Sequence, residues 1–160
     1  MLVEPGHTTA QAAGRQLAAA VQVVLSCAQQ AEGAELGDLL ILIRETGIDP
    51  LEAAFATGVR RFDKSGDYTA EGALSVVSWL KWRCRLSGGA AAERIEIGKQ
   101  LERLPRTEEA FANGQLGYQH VAVLARTAEN LGAAAVRTEE GNLLKAAQSM
   151  DPGQLSSVRN

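Results

Sequence analysis

Metal binding, proton transfer and nucleophilic attack all need reactive side chains at convergent spacing, and this sequence supplies few. Its 160 residues contain two histidines, His7 and His120, and two cysteines, Cys27 and Cys84. A metal centre takes three or four His, Cys or acid ligands at recurring intervals, and no such interval occurs; no cofactor motif is present either. Gly88-Gly89 lacks the lysine and Ser/Thr of a phosphate-binding loop. Ser87 has no histidine nearby in sequence and sits where a helix N-cap is expected. The acid pairs Glu108-Glu109 and Glu139-Glu140 fall in expected first helical turns. There a carboxylate offsets the helix dipole and is not needed for acid–base work. Cys27 and Cys84 each lie in an apolar helical stretch and read as buried, reduced thiols. The expectation is a chain with no catalytic site, metal or cofactor of its own.

Charge is the other chemistry on offer. Residues 1–58 carry two arginines against seven acids, whereas residues 81–106 carry seven cations against three acids. A basic segment in an acidic chain suits a phosphate backbone. Gly72 to Arg85, Leu86-Ser87 and Ala90 to Leu104 make a helix-turn-helix outline. In that outline Arg83 and Arg85 hold phosphate, which positions without specifying. Ser87, Arg94 and Glu93 enter the major groove, and Lys81 and Lys99 add to the cationic set. Arg85 occupies the place where such turns often carry glycine. Gly88, Gly89, Ala90, Ala91 and Ala92 present almost nothing that reads a base. The same cations at a helix end also stabilise terminal carbonyls without any nucleic acid.

The elements that must carry these residues are helical throughout; no period-two run appears. The low aromatic share, 4%, and the many alanines favour helix-on-helix packing. The first helix is expected from about Thr8 to Ala31. Its stripe Leu17, Val21, Val24, Ala28, Ala31 steps by four and three, the seam of a helical hairpin or of a coiled-coil dimer. A second helix carries Leu36 to Ile43 and closes at Gly47; Asp49-Pro50 opens a third. Thr69, Ser87, Thr107 and Thr138 are the expected caps of later helices, with stops at Leu104-Pro105 and Asn113-Gly114. Asp151-Pro152 opens a ninth helix close to Asn160, which predicts that the core continues past this chain. Trp79 reads as an interhelix anchor, and Trp82 as a partly exposed interface residue. The architecture expected is all-α, a multi-helix bundle with an N-terminal hairpin arm (1–62) and a helix-turn-helix-like core (63–160).

Several short motifs occur in a familiar order. Gly66-Asp-Tyr-Thr-Ala-Glu-Gly-Ala73, Ser78-Trp-Leu80 and Arg83-Cys-Arg-Leu-Ser87 come first. Leu101-Glu-Arg-Leu-Pro105, Ala112-Asn-Gly-Gln-Leu116 and Gln119-His-Val121 follow. Over roughly residues 55–160 this set resembles the 13E12-repeat family, whose N-terminal part is known as domain of unknown function 222. The resemblance implies a helical domain placed before an HNH endonuclease domain, and so a role near DNA. The His-Asn-His cassette itself is absent here, so nuclease activity does not carry over. A fainter similarity, to ParB-like partition proteins, rests on Leu104-Pro105, Gly114 and His120.

Two functions therefore stand as expectations. The first is a non-catalytic domain that assists DNA binding through Lys81, Arg83, Arg85, Ser87, Arg94 and Lys99. The second is an interaction or homodimerisation module working through Leu17, Val21, Val24 and Trp82. The N-terminus has no basic segment followed by an apolar one, and no apolar run approaches the ~20 residues a bilayer requires. A cytoplasmic location with no membrane contact is expected.

Overall fold

The computed structural model describes residues 9–158, and every regular element among them is helical. The chain divides into two compact units, Met1–Ile43 and Arg44–Asn160.

The first unit holds α1 (Ala10–Gln30) and α2 (Gly33–Leu42). Thr9 caps α1, its side chain accepting from the Ala12 N–H at 3.1 Å. An extended link, Ala31-Glu32, ends α1, and Gly33 enters α2 at φ 60°. The two helices touch, yet neither buries a single residue.

Ile43–Ile48 follows as a π-helical turn, and α3 (Asp49–Ser65) comes directly after it. Gly47 therefore closes nothing, and Asp49 does not restart the chain: Ile48 ahead of it is itself helical, at φ −63°, ψ −49°. Pro50 has no N–H, and its ring crowds the carbonyl four residues earlier. Widening the preceding turn absorbs that crowding, a common use of π geometry.

The second unit is a helical bundle. A 3-10 turn (Asp67–Glu71) leads to α4 (Val76–Arg83) and α5 (Gly88–Leu101). Then come α6 (Pro105–Ala112), α7 (Tyr118–Leu131), α8 (Ala133–Ser149) and α9 (Pro152–Val158). α7 contacts α3, α5, α6, α8 and α9, and α5 beside it contacts α3, α4, α6 and α7. Gly98 lets α5 lie close to α3: an added Cβ would lie 2.9 Å from the Ala56 carbonyl oxygen on α3. The main core gathers Ile97, Leu101, Phe111, Val121 and Leu124. A second cluster, Val59, Val76, Leu80 and Ala91, packs against Phe62 and Trp79, whose rings meet edge-on at 4.6 Å. The sequence reading placed α3 with the arm; in the structure α3 packs against α5 and α6 in the second unit.

Cap assignments split. Ser87 does cap α5, accepting from the Ala90 N–H at 3.1 Å. Asp151 caps α9, accepting from the Gln154 N–H at 2.8 Å. Thr69 lies in the 3-10 turn, and Ser75 caps α4 instead. Thr107 sits inside the first turn of α6, and Thr138 lies mid-helix in α8 with its hydroxyl on the Ala134 carbonyl. A Ser or Thr at a plausible cap position can equally bond back to its own helix, and sequence does not separate the two outcomes.

Candidate functional site

Of the six residues expected on DNA, four stay together. Lys81 and Arg83 end α4, Arg85 lies in the connection, and Ser87 starts α5. Arg85 adopts φ 59°, the left-handed conformation, at the position where glycine was expected. That backbone turn lets the Leu86 N–H reach back to the Leu80 carbonyl at 3.4 Å. Arg83 Nε lies 3.3 Å from Glu71 Oε2 in an ion pair, and the same guanidinium lies 5.3 Å from the Trp82 ring centre. Lys81 and Arg85 are exposed and form no ion pair among the described residues.

The other two lie elsewhere. Arg94 faces inward: Nε and Nη2 donate to the two Glu52 carboxylate oxygens at 3.1 and 2.9 Å, and Nη1 donates to the Ala90 carbonyl. Its guanidinium carbon sits 4.6 Å from the Tyr118 ring centre. A forked pair with Glu52 leaves Arg94 no free donor face for phosphate. Lys99 is exposed, but it lies eleven residues beyond Gly88 on α5, about 16 Å along the axis. With α5 enclosed by four helices, only scattered positions such as Gly89, Ala92 and Lys99 reach solvent along it.

The interface residues are mostly exposed. Leu17 and Val21 are each 44% exposed and Trp82 is 60% exposed, whereas Val24 is half-buried. Val23, Leu25, Leu36, Leu40, Ile41 and Leu42 extend the apolar surface of the arm. α1 carries one charge, Arg15, in 21 residues.

Sequence reading missed the groups the second unit does bury. Asp49 accepts the Tyr118 N–H at 2.9 Å, and Glu140 accepts the Thr107 N–H at 2.8 Å. Tyr118 donates its hydroxyl to Glu93 at 2.5 Å; burial first, and that bond second, push the phenol far above its ordinary pKa. His120 Nε2 meets the Met150 carbonyl at 2.5 Å, and its Nδ1 is buried without a partner. An open apolar cleft of about 640 Å³ runs along α3, lined by Leu51, Phe55, Gly58, Phe62 and Trp79. Cys84 also lines it, its thiol pKa raised by burial; Cys27, by contrast, is exposed. His7 lies outside the described residues. Among the described residues no three His, Cys, Asp or Glu side chains converge as metal ligands, and no helix is long and apolar enough to cross a membrane.

Residues 45–160 match the family described as domain of unknown function DUF222, nearly the whole of the second unit. The chain belongs to the DUF222 family. Domains of this family usually precede HNH endonuclease domains. The match begins beside the break between the two units, so the bundle of the second unit is the DUF222 fold and the arm stands outside the matched region. No curated protein and no solved structure matches the chain significantly.

Proposed function

We propose that this DUF222 chain is a non-catalytic helical domain of a nuclease-associated protein, and that its α1–α2 arm is a protein-docking element. One observation carries the reading: neither helix of the arm buries a residue, while both present rows of large apolar side chains. Contiguous exposed apolar surface marks an interaction site. A helix with a single charge gains little from standing in water. Chemical cross-linking of the full chain in cells tests it, comparing wild type with Leu17→Glu/Val21→Glu. Protein adducts should be lost in the variant while the bundle stays folded. Adducts indifferent to both substitutions would remove the reading.

A second reading, contact with duplex DNA, is favoured by Lys81 and Arg85, two exposed cations within one turn of chain that have no carboxylate partner among the described residues. Without Arg94, such contact is confined to phosphate and blind to sequence. A mobility shift at low salt, weakened by salt and by Lys81→Ala/Arg85→Ala, supports it. No shift at low salt removes it.

A further inference from the structure

The corner between α4 and α5 sets an open aromatic ring among cations. Trp82, in the last turn of α4, is 60% exposed, whereas Trp79 one turn earlier packs its ring on Phe62. Successive helical residues are turned by roughly 100°, so Lys81 and Arg83 flank Trp82 on its two sides. The Arg83 guanidinium lies over the Trp82 ring, and its Nε is paired with Glu71. Arg85 follows in the connection, where its left-handed backbone turns the chain back towards α4. Lys81 lies along the start of α5: a Cβ added to Gly88 would be 4.0 Å from its Cδ. We infer, building on the phosphate contact of Lys81 and Arg85, that this corner holds single-stranded nucleic acid, with an unpaired base stacked on Trp82.

The surroundings of the ring select that ligand. Val76 and Leu80 of α4 are buried, and Val77 and Trp79 pack against the same cluster. Trp82 is thus the one exposed apolar side chain on α4. An apolar protein partner could cover it only by also taking Lys81 and Arg83 out of water, which is costly for unpaired charge. A bilayer surface fits no better, because insertion needs a whole apolar helix face. A planar group attached to phosphate answers both features, the ring by stacking and the cations by charge.

The same ring distinguishes single strand from duplex. Bases inside a duplex are covered above and below by their neighbours, so they offer Trp82 no face. An unpaired base does. With Arg83 on one side of the indole, a base on the other completes a stack of guanidinium, indole and base. Lys81 and Arg85 meet phosphate in either form and so do not discriminate.

Fluorescence anisotropy of the full chain at low salt tests this with three labelled strands. One is an oligothymidylate of about 12 nucleotides, one is the same backbone without bases, and one is a hairpin duplex. The oligothymidylate should bind several-fold tighter than either of the others. Trp82→Leu should weaken it about tenfold or more, and leave the abasic strand and the duplex unchanged; Trp82→Phe should restore part of the loss. Lys81→Ala/Arg85→Ala should weaken all three and lower the single-strand salt slope by about 1.4, a slope that Trp82→Leu should not move. If the three strands bind alike and Trp82→Leu changes none of them, the phosphate contact stands and the stacking fails. If no strand binds, both fail. Trp82-dependent binding to vesicles of phosphatidylserine and phosphatidylcholine, with none to any strand, would identify a membrane surface and overturn the inference.

Discussion

Arg94 and Glu52, forty-two residues apart in sequence, join α5 to α3 through two parallel hydrogen bonds of 3.1 and 2.9 Å. The Arg94 guanidinium lies against the Tyr118 ring of α7, so a single cation ties three helices together. The sequence offered Arg94 as a base-reading residue; its position makes it a fastening of the bundle.

Breaking this pair should therefore be read in stability and leave any DNA contact unmoved. The two side chains are about one-fifth exposed, at 18% and 22%, so solvent screens part of their attraction. Glu52→Gln or Arg94→Met should each cost about 1–2 kcal/mol in urea unfolding. The double variant should cost less than the sum of the two. A fall in DNA affinity for Arg94→Met at full stability would return the residue to the nucleic-acid surface.

Tyr118 gives the bundle a pH dependence with a definite sign. Its pKa in the folded protein is raised well above the ordinary ~10 by burial and by the bond to Glu93. The unfolded chain thus loses this proton first. The contribution is whole below pH ~10 and drains away as pH climbs towards the folded value. Tyr118→Phe should cost about 1 kcal/mol at neutral pH. That gap should stay constant up to about pH 9 and narrow as the pH rises past about 10. Urea midpoints of the two proteins across this range check the slope, since titrations common to both cancel.

What the sequence revealed and what it hid divide along a physical line. Helix identity, the stops at Pro105 and Gly114 and the caps Ser87 and Asp151 depend on neighbours within a few residues, and all were legible. The roles of Asp49 and Glu140 were not. Each looks like a local acid that helps the start of its own helix. Instead Asp49 caps α7 from α3, sixty-nine residues away, and Glu140 caps α6 from the middle of α8. Arg94 misled for the same reason: a charge pattern does not tell which arginine folds inward against a distant acid. The arm is a different case: the stripe from Leu17 to Ala28 lies on a helix as expected, yet α1 and α2 touch without burying a residue.

Those long-range caps predict their own cost. Glu140 is buried and its Oε1 accepts from both the backbone N–H and the hydroxyl of Thr107. Glu140→Ala leaves that N–H without a partner inside the protein and should cost about 2 kcal/mol. Glu140→Gln keeps an acceptor oxygen and should cost less than half as much. Hydrogen exchange localises the effect: amides in the first turn of α6 should lose protection before those of α7.

Two mid-helix glycines make a paired test of how the bundle is held. Glycine inside a helix is worse than alanine by up to ~1 kcal/mol, so propensity alone predicts that replacing either would stabilise. Gly58 on α3 lines the open cleft, and a Cβ there meets nothing within 4 Å. Gly58→Ala should therefore raise stability by ~0.5–1 kcal/mol. Gly98 on α5 lies against α3, where the same Cβ would come within 2.9 Å of the Ala56 backbone oxygen and 3.4 Å of Arg60 Cβ. A backbone atom cannot swing aside as a side chain does, so α3 and α5 must separate, loosening both the Arg94–Glu52 pair and the bond from Arg60 to the Gly98 carbonyl. Gly98→Ala should lower stability by about 2 kcal/mol despite its better helix propensity. Opposite signs at the two positions would establish that α3 and α5 are held at backbone contact, and a stabilising Gly98→Ala would show that they are not.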